Sequence, residues 1–339
     1  MKPEVDTGLM STDSERIRNR IIDTFVQSGD SFVSGGMLAQ SLEVTRTAVW
    51  KHIRALEEMG FRFESIHGTG YRLLESPDLV LEPLLASLLE PKASLGRYVR
   101  WFSEVDSTNS HAMQLALQKA PHGTIVTALR QTGGHGRRGK TWFSPEGGLW
   151  LSIVLQRPFP LRHAPELTLL ASVALRRAVL SVAGVTPSIK WPNDLLIDGK
   201  KVSGILAEIR ADGEYVEHAV VGIGINTNIP DEAFPDELKP RSTSILKCRR
   251  ERVSQLKLTA RLLTEFEHLF DSLVTGQGFA MVSEEWRHAS STLGTDIRVQ
   301  TPSGIVEGRA ERMDDQGILF VRLSTGEIAK IHSGEVLFD

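Results

Sequence analysis

The chain has 339 residues, 41% of them hydrophobic and 24% charged, with a formal net charge of −3. These values indicate a soluble globular protein of two or three domains and exclude a uniformly basic coat for nucleic acid. Cys248 is the single cysteine, so an intrachain disulfide is excluded. Neither an apolar leader nor a run of ~18 apolar residues occurs, and we expect a cytoplasmic protein without a membrane partner.

The N-terminal region is predicted to be a helical domain at residues 15–76, preceded by a disordered tail at residues 1–14. Apolar residues at helical spacing predict one helix from Glu15 to Ser28 and a short second helix near Met37. A tight turn then leads to Thr45, which has the chemistry of an N-cap, and to a third helix that ends near Met59.

The third helix carries three basic residues and His52, but no acidic residue, between Thr45 and Arg54. Two strands, Phe61–Ile66 and Tyr71–Leu74, are joined by a glycine-rich turn and would form a wing beside it. A small helical domain with a solvated basic face is the alternative, but the order of elements favours a winged helix-turn-helix. The predicted DNA-binding residues are Thr45, Arg46, Thr47, Trp50, Lys51, Arg54, His67 and Thr69. One such domain makes few base contacts, so a two-fold dimer on DNA is expected.

Changes in composition set the remaining boundaries. Prolines bracket a short helical segment from Leu79 to Glu90, so residues 77–98 are expected to be a linker. Strand and helix patterns then predict a central mixed β-sheet with helices at residues 99–290. Four or five short strands with glycine turns predict a small β-barrel at residues 291–339. The expected fold class is therefore an α+β protein of several domains.

A glycine-rich loop runs from Gly133 to Lys140 and has the sequence GGHGRRGK. Four glycines can expose backbone N–H groups to an anion, and Arg137 and Arg138 add positive charge. The letters also match the P-loop and the dinucleotide fingerprint, which both need a helix after the loop. Turn residues and a buried strand near Leu149 follow instead, which argues against both motifs. A solvated basic turn remains the alternative to an anion-binding loop.

A second cluster of charged residues surrounds a predicted hairpin. Asp198-Gly199 is a strong two-residue turn signal, and the hairpin would bring Lys201 back towards Lys190 and Asp194. A surface ion-pair patch is the ordinary alternative for such residues. Upstream, Ser107 and Thr108 precede another predicted helix, and taken alone they would be N-cap residues.

Seven separated motifs are distributed along the chain. They are Ser107-Thr-Asn109, Gln131 with the glycine loop, Trp142-Phe-Ser-Pro145, Lys190-Trp-Pro-Asn-Asp194, Lys201-Val-Ser-Gly204, Gly222-Ile-Gly-Ile-Asn226 and the helix-turn-helix region. Together they resemble the biotin protein ligases, and specifically the bifunctional ligase/repressor group, and the likeness extends from about Ile17 to the C-terminus.

This resemblance implies an activity in two steps. Biotin and ATP, with Mg²⁺ bound to the substrate, would give biotinyl-5'-adenylate, and biotin would then pass to a lysine of the biotin carboxyl carrier protein of acetyl-CoA carboxylase. The adenylate would also act as corepressor, holding a homodimer on operator DNA to repress biotin synthesis genes.

The resemblance also assigns roles to individual residues. The implied catalytic residues are Arg137, Lys190, Asp194 and Lys201. The implied residues for biotin and its adenylate are Ser107, Thr108, Asn109, Gln131, Gly134, His135, Gly136, Arg137, Arg138, Trp142, Lys201 and Asn226, with Trp142 as an adenine wall. No metal site made by the protein itself is expected.

One position departs from the family pattern, because the family's loop normally has arginine where this chain has His135. Histidine side chains are mostly neutral at cytoplasmic pH. We expect release of the adenylate to slow below about pH 6.5, where histidine gains a charge.

Three alternatives remain open. The chain could be a biotin-sensing repressor with an impaired ligase domain, a related lipoate ligase or other acyl-adenylating enzyme, or a P-loop ATPase regulator. The predicted strand Val220–Ile225 is a candidate for an exposed edge at the dimer surface.

Overall fold

The protein is described here by a computed structural model, which covers residues 12–275 and 279–337. The chain divides into two units, of which the first ends at Pro91 and the second begins at Lys92. Within the described ranges, no helix has both the length and the apolar character needed to cross a membrane.

The first unit has three helices followed by a two-stranded hairpin, as the sequence predicts. Thr12 caps the first helix and forms a capping box with Glu15, so this helix begins at Asp13, inside the predicted tail, most of which lies outside the described residues. Buried apolar side chains on the first and third helices, including Phe25 and Ile53, form the core. The elements are α1 (Asp13–Ser28), α2 (Gly35–Ser41), α3 (Arg46–Glu58), β1 (Arg62–Ile66) and β2 (Gly70–Glu75).

A short helix, α4 (Glu82–Ala86), packs against α1. It is shorter than the predicted segment from Leu79 to Glu90, and its Leu84 and Leu85 are buried. Residues 77–91 of the predicted linker therefore fold as part of the first unit, because their apolar side chains bury against it.

The second unit is built on a mixed sheet. Among the described residues, seven strands follow in the order β3-β4-β5-β10-β9-β8-β7, and β6 pairs with β10 as an eighth. β3 and β4 are parallel, and the other pairs are antiparallel. The strands are β3 (Val99–Val105), β4 (Ile125–Gln131), β5 (Leu149–Leu155), β6 (Phe159–Pro160), β7 (Ser188–Lys190), β8 (Asp194–Ile197), β9 (Lys200–Asp212) and β10 (Tyr215–Ile225).

The expectation that Val220–Ile225 forms an exposed edge is wrong. This segment lies in β10, which is hydrogen-bonded to β5 on one side and β9 on the other. Its side chains are almost all buried, so their apolar character reflects burial on the sheet and not an available edge.

Helices cover the sheet and complete the core of the second unit. α6 and α8 pack against each other, and α6 also contacts β8, β9 and β10, while α5 contacts β5 and β10. Large side chains such as Phe266 and Phe270 on α8 are fully buried. The helices are α5 (Thr108–Leu117), α6 (Glu166–Ala183), α7 (Ile245–Arg249), α8 (Gln255–Thr275) and α9 (Ala280–Ala289).

The C-terminal part forms an antiparallel sheet in the order β14-β13-β12-β11-β15. In the described residues the two end strands do not pair with each other, so the sheet is open and the predicted barrel is not closed. The last strand has only two residues, which leaves few backbone groups to complete a closing ladder. The strands are β11 (Asp296–Thr301), β12 (Gly304–Met313), β13 (Leu319–Arg322), β14 (Ile328–Ile331) and β15 (Glu335–Val336).

Candidate active site and DNA-binding surface

The predicted hairpin at Asp198-Gly199 is confirmed, and it brings the charged residues together. Both turn residues have positive φ, 50° and 74°, as a tight two-residue turn requires. Across β7 and β8, Lys190 pairs with Asp194. Lys201 Nζ lies 2.7 Å from Asp194 Oδ1. The ion pair therefore belongs to the interior of one sheet and not to a surface patch.

Lys190 is buried, with 6% of its surface exposed. Burial lowers the pKa of Lys190 to about 8, and the positive charges of Lys201 and Lys140 act in the same direction. The carboxylates of Asp194 and Glu335 oppose that shift only in part. The lowered pKa of Lys190 is thus mainly an effect of burial, and Asp194 is the strongest single charge acting on this ammonium.

The glycine loop closes on itself without starting a helix. Gly136 N donates to Lys140 O (2.7 Å) and Trp142 N donates to Gly134 O (2.9 Å). One 3-10 turn, Arg137–Gly139, lies between these bonds, and the next regular element is the strand β5. Both patterns that need a following helix, the P-loop and the dinucleotide fingerprint, are therefore excluded.

Two residues of the C-terminal sheet region contact the glycine loop. Arg137 Nη1 donates to Gly334 O (3.0 Å), and Lys140 Nζ lies 2.6 Å from Glu335 Oε2. Burial, and then the neighbouring Arg138, lower the pKa of Arg137 from its ordinary value. Burial of Glu335 works against ionisation, but the hydrogen bond and charge of Lys140 outweigh it and lower the pKa of Glu335. The loop therefore presents a partly buried guanidinium fixed in place.

The N-terminus of α5 supplies the uncharged polar groups. Ser107 caps the helix by accepting from Ser110 N, as its sequence predicts. Thr108 N and Oγ1 both donate to Gln131 Oε1, at 2.8 and 3.0 Å. Asn109 Oδ1 accepts from Ser152 Oγ at 2.6 Å. These buried groups are fixed by one another, so their orientation is set before any ligand arrives.

One cavity of about 460 Å³ brings the predicted residues together. Among the predicted catalytic and ligand-binding residues, Gly134 and Lys190 do not line it. The others all line it: Ser107, Thr108, Asn109, Gln131, His135, Gly136, Arg137, Arg138, Trp142, Asp194, Lys201 and Asn226.

Glycines on the central strands make room for two of these side chains. A Cβ at Gly222 would lie 2.0 Å from Asn109 Oδ1, and a Cβ at Gly224 would lie 2.5 Å from Trp142 Nε1. Lys201 Nζ lies 5.0 Å from the centre of the Trp142 ring. The Gly222-Ile-Gly224 motif therefore shapes the floor of the cavity, because no side chain fits there.

Several lining residues are absent from the sequence prediction. Gly334 and Glu335 lie at the start of β15, about 140 residues beyond Lys190 in the chain. Their contacts with Arg137 and Lys140 give no local sequence signal. A segment after β10 adds Phe234, Leu238, Arg241 and Ser242. Backbone pairing between Lys201 N and Arg241 O (2.8 Å) holds that segment at the cavity.

Charges on the first unit agree with a nucleic-acid surface. Thr45 accepts from Ala48 N and so caps α3, as predicted. Arg54 lies 5.5 Å from the Trp50 ring and pairs with Glu57 at 2.9 Å, so part of its charge is neutralised. All eight predicted residues are exposed: Thr45, Arg46, Thr47, Trp50, Lys51, Arg54, His67 and Thr69.

Comparisons with known proteins match the same regions. Family models match at residues 18–72 (HTH domain), 101–226 (Biotin/lipoate A/B protein ligase family) and 292–339 (Biotin protein ligase C terminal domain). The chain is 37% identical to the bifunctional ligase/repressor BirA of Bacillus spizizenii, covering 94% of this chain and 98% of that protein. It is 26% identical to BirA of Escherichia coli strain K12, covering 90% and 92%.

A solved structure supports the fold of the second unit. The biotin protein ligase from Aquifex aeolicus in complex with biotin and ATP matches with a TM-score of 0.61 and 28% identity, covering 71% of this chain and 98% of that chain. The predicted resemblance is thereby confirmed: the chain belongs to the biotin protein ligase family, in the group of bifunctional ligase/repressors.

Proposed function

We propose that this chain is an ATP-dependent biotin protein ligase and a biotin-responsive repressor of transcription. The observation that carries the proposal is one cavity lined by cationic Arg137 and Lys201, by Asp194, and by the fixed polar groups at the start of α5. Such a cavity can hold an acid with an uncharged polar head beside a polyanion.

In the first step, a carboxylate oxygen of biotin attacks the α-phosphate of ATP. A new O–P bond forms, the bond to the leaving group breaks, and biotinyl-5'-adenylate and pyrophosphate result. Arg137, Lys190 and Lys201 offset the repulsion between the two anions, because they are fixed where negative charge accumulates. Ser107, Thr108, Asn109 and Gln131 orient biotin.

Magnesium fits this site as a partner of the nucleotide. Mg²⁺ commonly binds one or two carboxylates together with substrate phosphates. Asp194 and Glu335 line the cavity and supply such oxygens. The described residues contain no group of three or more His, Cys, Asp or Glu placed to hold a metal by themselves. When bound, the ion would add positive charge at the phosphates.

In the second step, the ε-amine of an acceptor lysine attacks the acyl carbon, and AMP leaves with the bonding electrons. Asp194 orients this amine or accepts its proton, while Lys201 beside it balances the carboxylate. Trp142 would contact the adenine, and Arg138 and Asn226 line the same cavity. The acceptor is the biotin carboxyl carrier protein of acetyl-CoA carboxylase.

The repressor function rests on the first unit. Biotinyl-5'-adenylate acts as corepressor by favouring a homodimer whose two α3 helices contact operator DNA of biotin synthesis genes. Ligand binding can favour the dimer only to the extent that the dimer binds the adenylate more tightly. Both functions belong to a cytoplasmic protein.

A repressor with an impaired ligase domain is the alternative function. Arg137, Lys190, Asp194 and Lys201 are all present, and three of the four line the cavity, which argues against impairment.

Labelling of a purified carrier domain tests the ligase. We expect biotin incorporation that requires ATP and is lost, by at least about a hundredfold, in Lys190→Ala, since a fixed cation near the phosphates stabilises the transition state by several kcal/mol. The exposed substitution Lys92→Ala is the control. Incorporation of lipoate in preference to biotin, or equal labelling by Lys190→Ala, would contradict the proposal.

A further inference from the structure

Glu208 lies on β9 outside the set of predicted site residues, yet it contacts two of them. Its Oε2 atom accepts from Asn109 Nδ2 at 2.8 Å. The same oxygen is 4.0 Å from Nε2 of His135 in the glycine loop. One carboxylate oxygen thus faces both the floor of the cavity and the loop that borders it.

The contact with Asn109 fixes the orientation of that side chain. Asn109 Oδ1 accepts from Ser152 Oγ, so its amide nitrogen must point the other way, towards Glu208. Gly222 makes room for the Asn109 amide in this position, since a Cβ there would lie 2.0 Å from Asn109 Oδ1. Removal of the acceptor at Glu208 would leave this amide without its main partner.

The hydrogen-bonded chain continues from Asn109 to the far end of the glycine loop. Ser152 Oγ lies 2.9 Å from Thr108 Oγ1, and Thr108 donates to Gln131. Gln131 Nε2 donates to Ser144 Oγ, which donates to Trp142 O. Trp142, just after the loop, is therefore held through Ser144 and Gln131, while His135 within the loop lies beside Glu208.

The imidazole of His135 faces two oxygen acceptors. Its Nδ1 atom is 3.4 Å from Gly133 O, and its Nε2 atom is 4.0 Å from Glu208 Oε2. A neutral imidazole has one N–H and can donate to only one of them, whereas an imidazolium has two N–H groups and a charge. An imidazolium could therefore donate to Gly133 O and at the same time present its charge to the Glu208 carboxylate.

Other charges around His135 are already engaged within the described residues. On its own loop, Arg137 donates to Gly334 O and Lys140 pairs with Glu335, while Arg138 is the remaining cation. Asp106, at the end of β3, accepts from Ser107 N. Farther along β9, Arg210 pairs with Glu217. Glu208 is the carboxylate that faces the imidazole.

We propose that Glu208 is a positioning residue whose contact with protonated His135 latches the glycine loop over the cavity and prolongs retention of the bound ligand. The proposal rests on the proposed function for the identity of that ligand. The contact between Glu208 and His135 does not involve the ligand, so its effect on the loop can be measured in the ligand-free protein.

Hydrogen exchange of the amides at residues 135–141 in the ligand-free protein tests the latch. After correction for intrinsic exchange, we expect protection to be about two- to fivefold greater at pH 5.5 than at pH 8, the range for a partly exposed ion pair. Glu208→Gln, which keeps an acceptor for Asn109 but loses the charge, should abolish this difference. The control Glu217→Gln, a half-exposed glutamate on β10, should retain it.

Two further variants change His135 and leave Glu208 in place. His135→Gln should abolish the pH difference while Glu208 stays in place, and His135→Arg should give strong protection at both pH values. The release rate of biotinyl-adenylate should change in the same order in all variants. Equal pH differences in the wild type and Glu208→Gln, or no difference in the wild type, would overturn the latch. If the wild type forms no adenylate, the proposed function is wrong. The hydrogen-exchange result then tests the contact between Glu208 and His135 by itself.

Discussion

Lys190 combines two demands that conflict at the level of a single residue. The proposed function requires its ammonium where phosphate charge accumulates, yet its side chain is buried, which disfavours that charge. Because the pKa of Lys190 is lowered to about 8, its ionised form opposes folding below pH 8, and this cost disappears as the pH rises above the ordinary value of 10.5. The free energy of unfolding is therefore lower near neutral pH than it would be without this buried ammonium.

The lowered pKa predicts how the first step depends on pH. Since only the charged form of Lys190 offsets the phosphates, the rate of ATP–pyrophosphate exchange should fall about tenfold per unit as the pH rises above 8. Lys190→Arg, whose charge persists, should show a much smaller fall.

Lys200→Arg is the matched control for that measurement, because Lys200 is a half-buried lysine that donates to Lys239 O and does not line the cavity. It should keep the wild-type profile. A wild-type rate that does not change between pH 7 and 9.5 would contradict the role given to Lys190.

At the scale of elements, the segment after β7 is fixed by the C-terminal part of the chain. Trp191 is buried, its N–H donates to Thr292 Oγ1 and its Nε1 donates to Gly317 O, both at 3.0 Å. Lys190 precedes Trp191 directly, so these bonds also hold the proposed catalytic cation. The open C-terminal sheet therefore contributes to the site by anchoring its residues as well as by lining it.

A pair of tryptophan variants separates this hydrogen bond from simple loss of volume. Trp191→Phe should lower the free energy of unfolding by about 1 kcal/mol more than Trp286→Phe, because only Trp191 loses a bond. Trp286 is equally buried, and its Nε1 has no hydrogen-bond partner in the described part of the chain.

Urea unfolding of the two variants measures that difference, and pyrophosphate exchange should be slower only in Trp191→Phe. The same loss of stability in both variants would show that the Trp191 to Gly317 bond contributes nothing.

At the scale of the whole molecule, the two units carry different chemistry. The cationic, exposed side chains of α3 lie in the first unit, and the cavity lies in the second. Each unit has its own buried core, so a substitution on the surface of one should not alter the chemistry of the other.

Lys51→Ala tests this separation. Loss of one phosphate contact should weaken binding to all duplex sequences alike and reduce the slope of log K against log salt by about 1. Biotin transfer to the carrier should stay within about twofold of wild type, because sites without shared partners act additively. Arg16→Ala, an exposed change on α1, is the control that should keep both the slope and the transfer rate.

Local sequence determined much of this protein. The caps at Thr45 and Ser107, the turn at Asp198-Gly199 and the break after the glycine loop each follow from contacts within a few residues. Such contacts depend on side-chain chemistry and backbone preference, which the sequence displays directly. They were sufficient to predict the helix-turn-helix and the approach of Lys201 to Asp194.

Features that depend on residues far apart in the sequence were determined only by the tertiary structure. The burial of β10 inside the sheet, the open C-terminal sheet and the entry of Glu335 into the cavity each arise from pairing between segments far apart in sequence. Apolar periodicity predicts that a strand is buried but not which strands flank it, because backbone hydrogen bonds are the same for every residue type. Glu208 was missed for the same reason: its two contacts, Asn109 and His135, meet only when the sheet has formed.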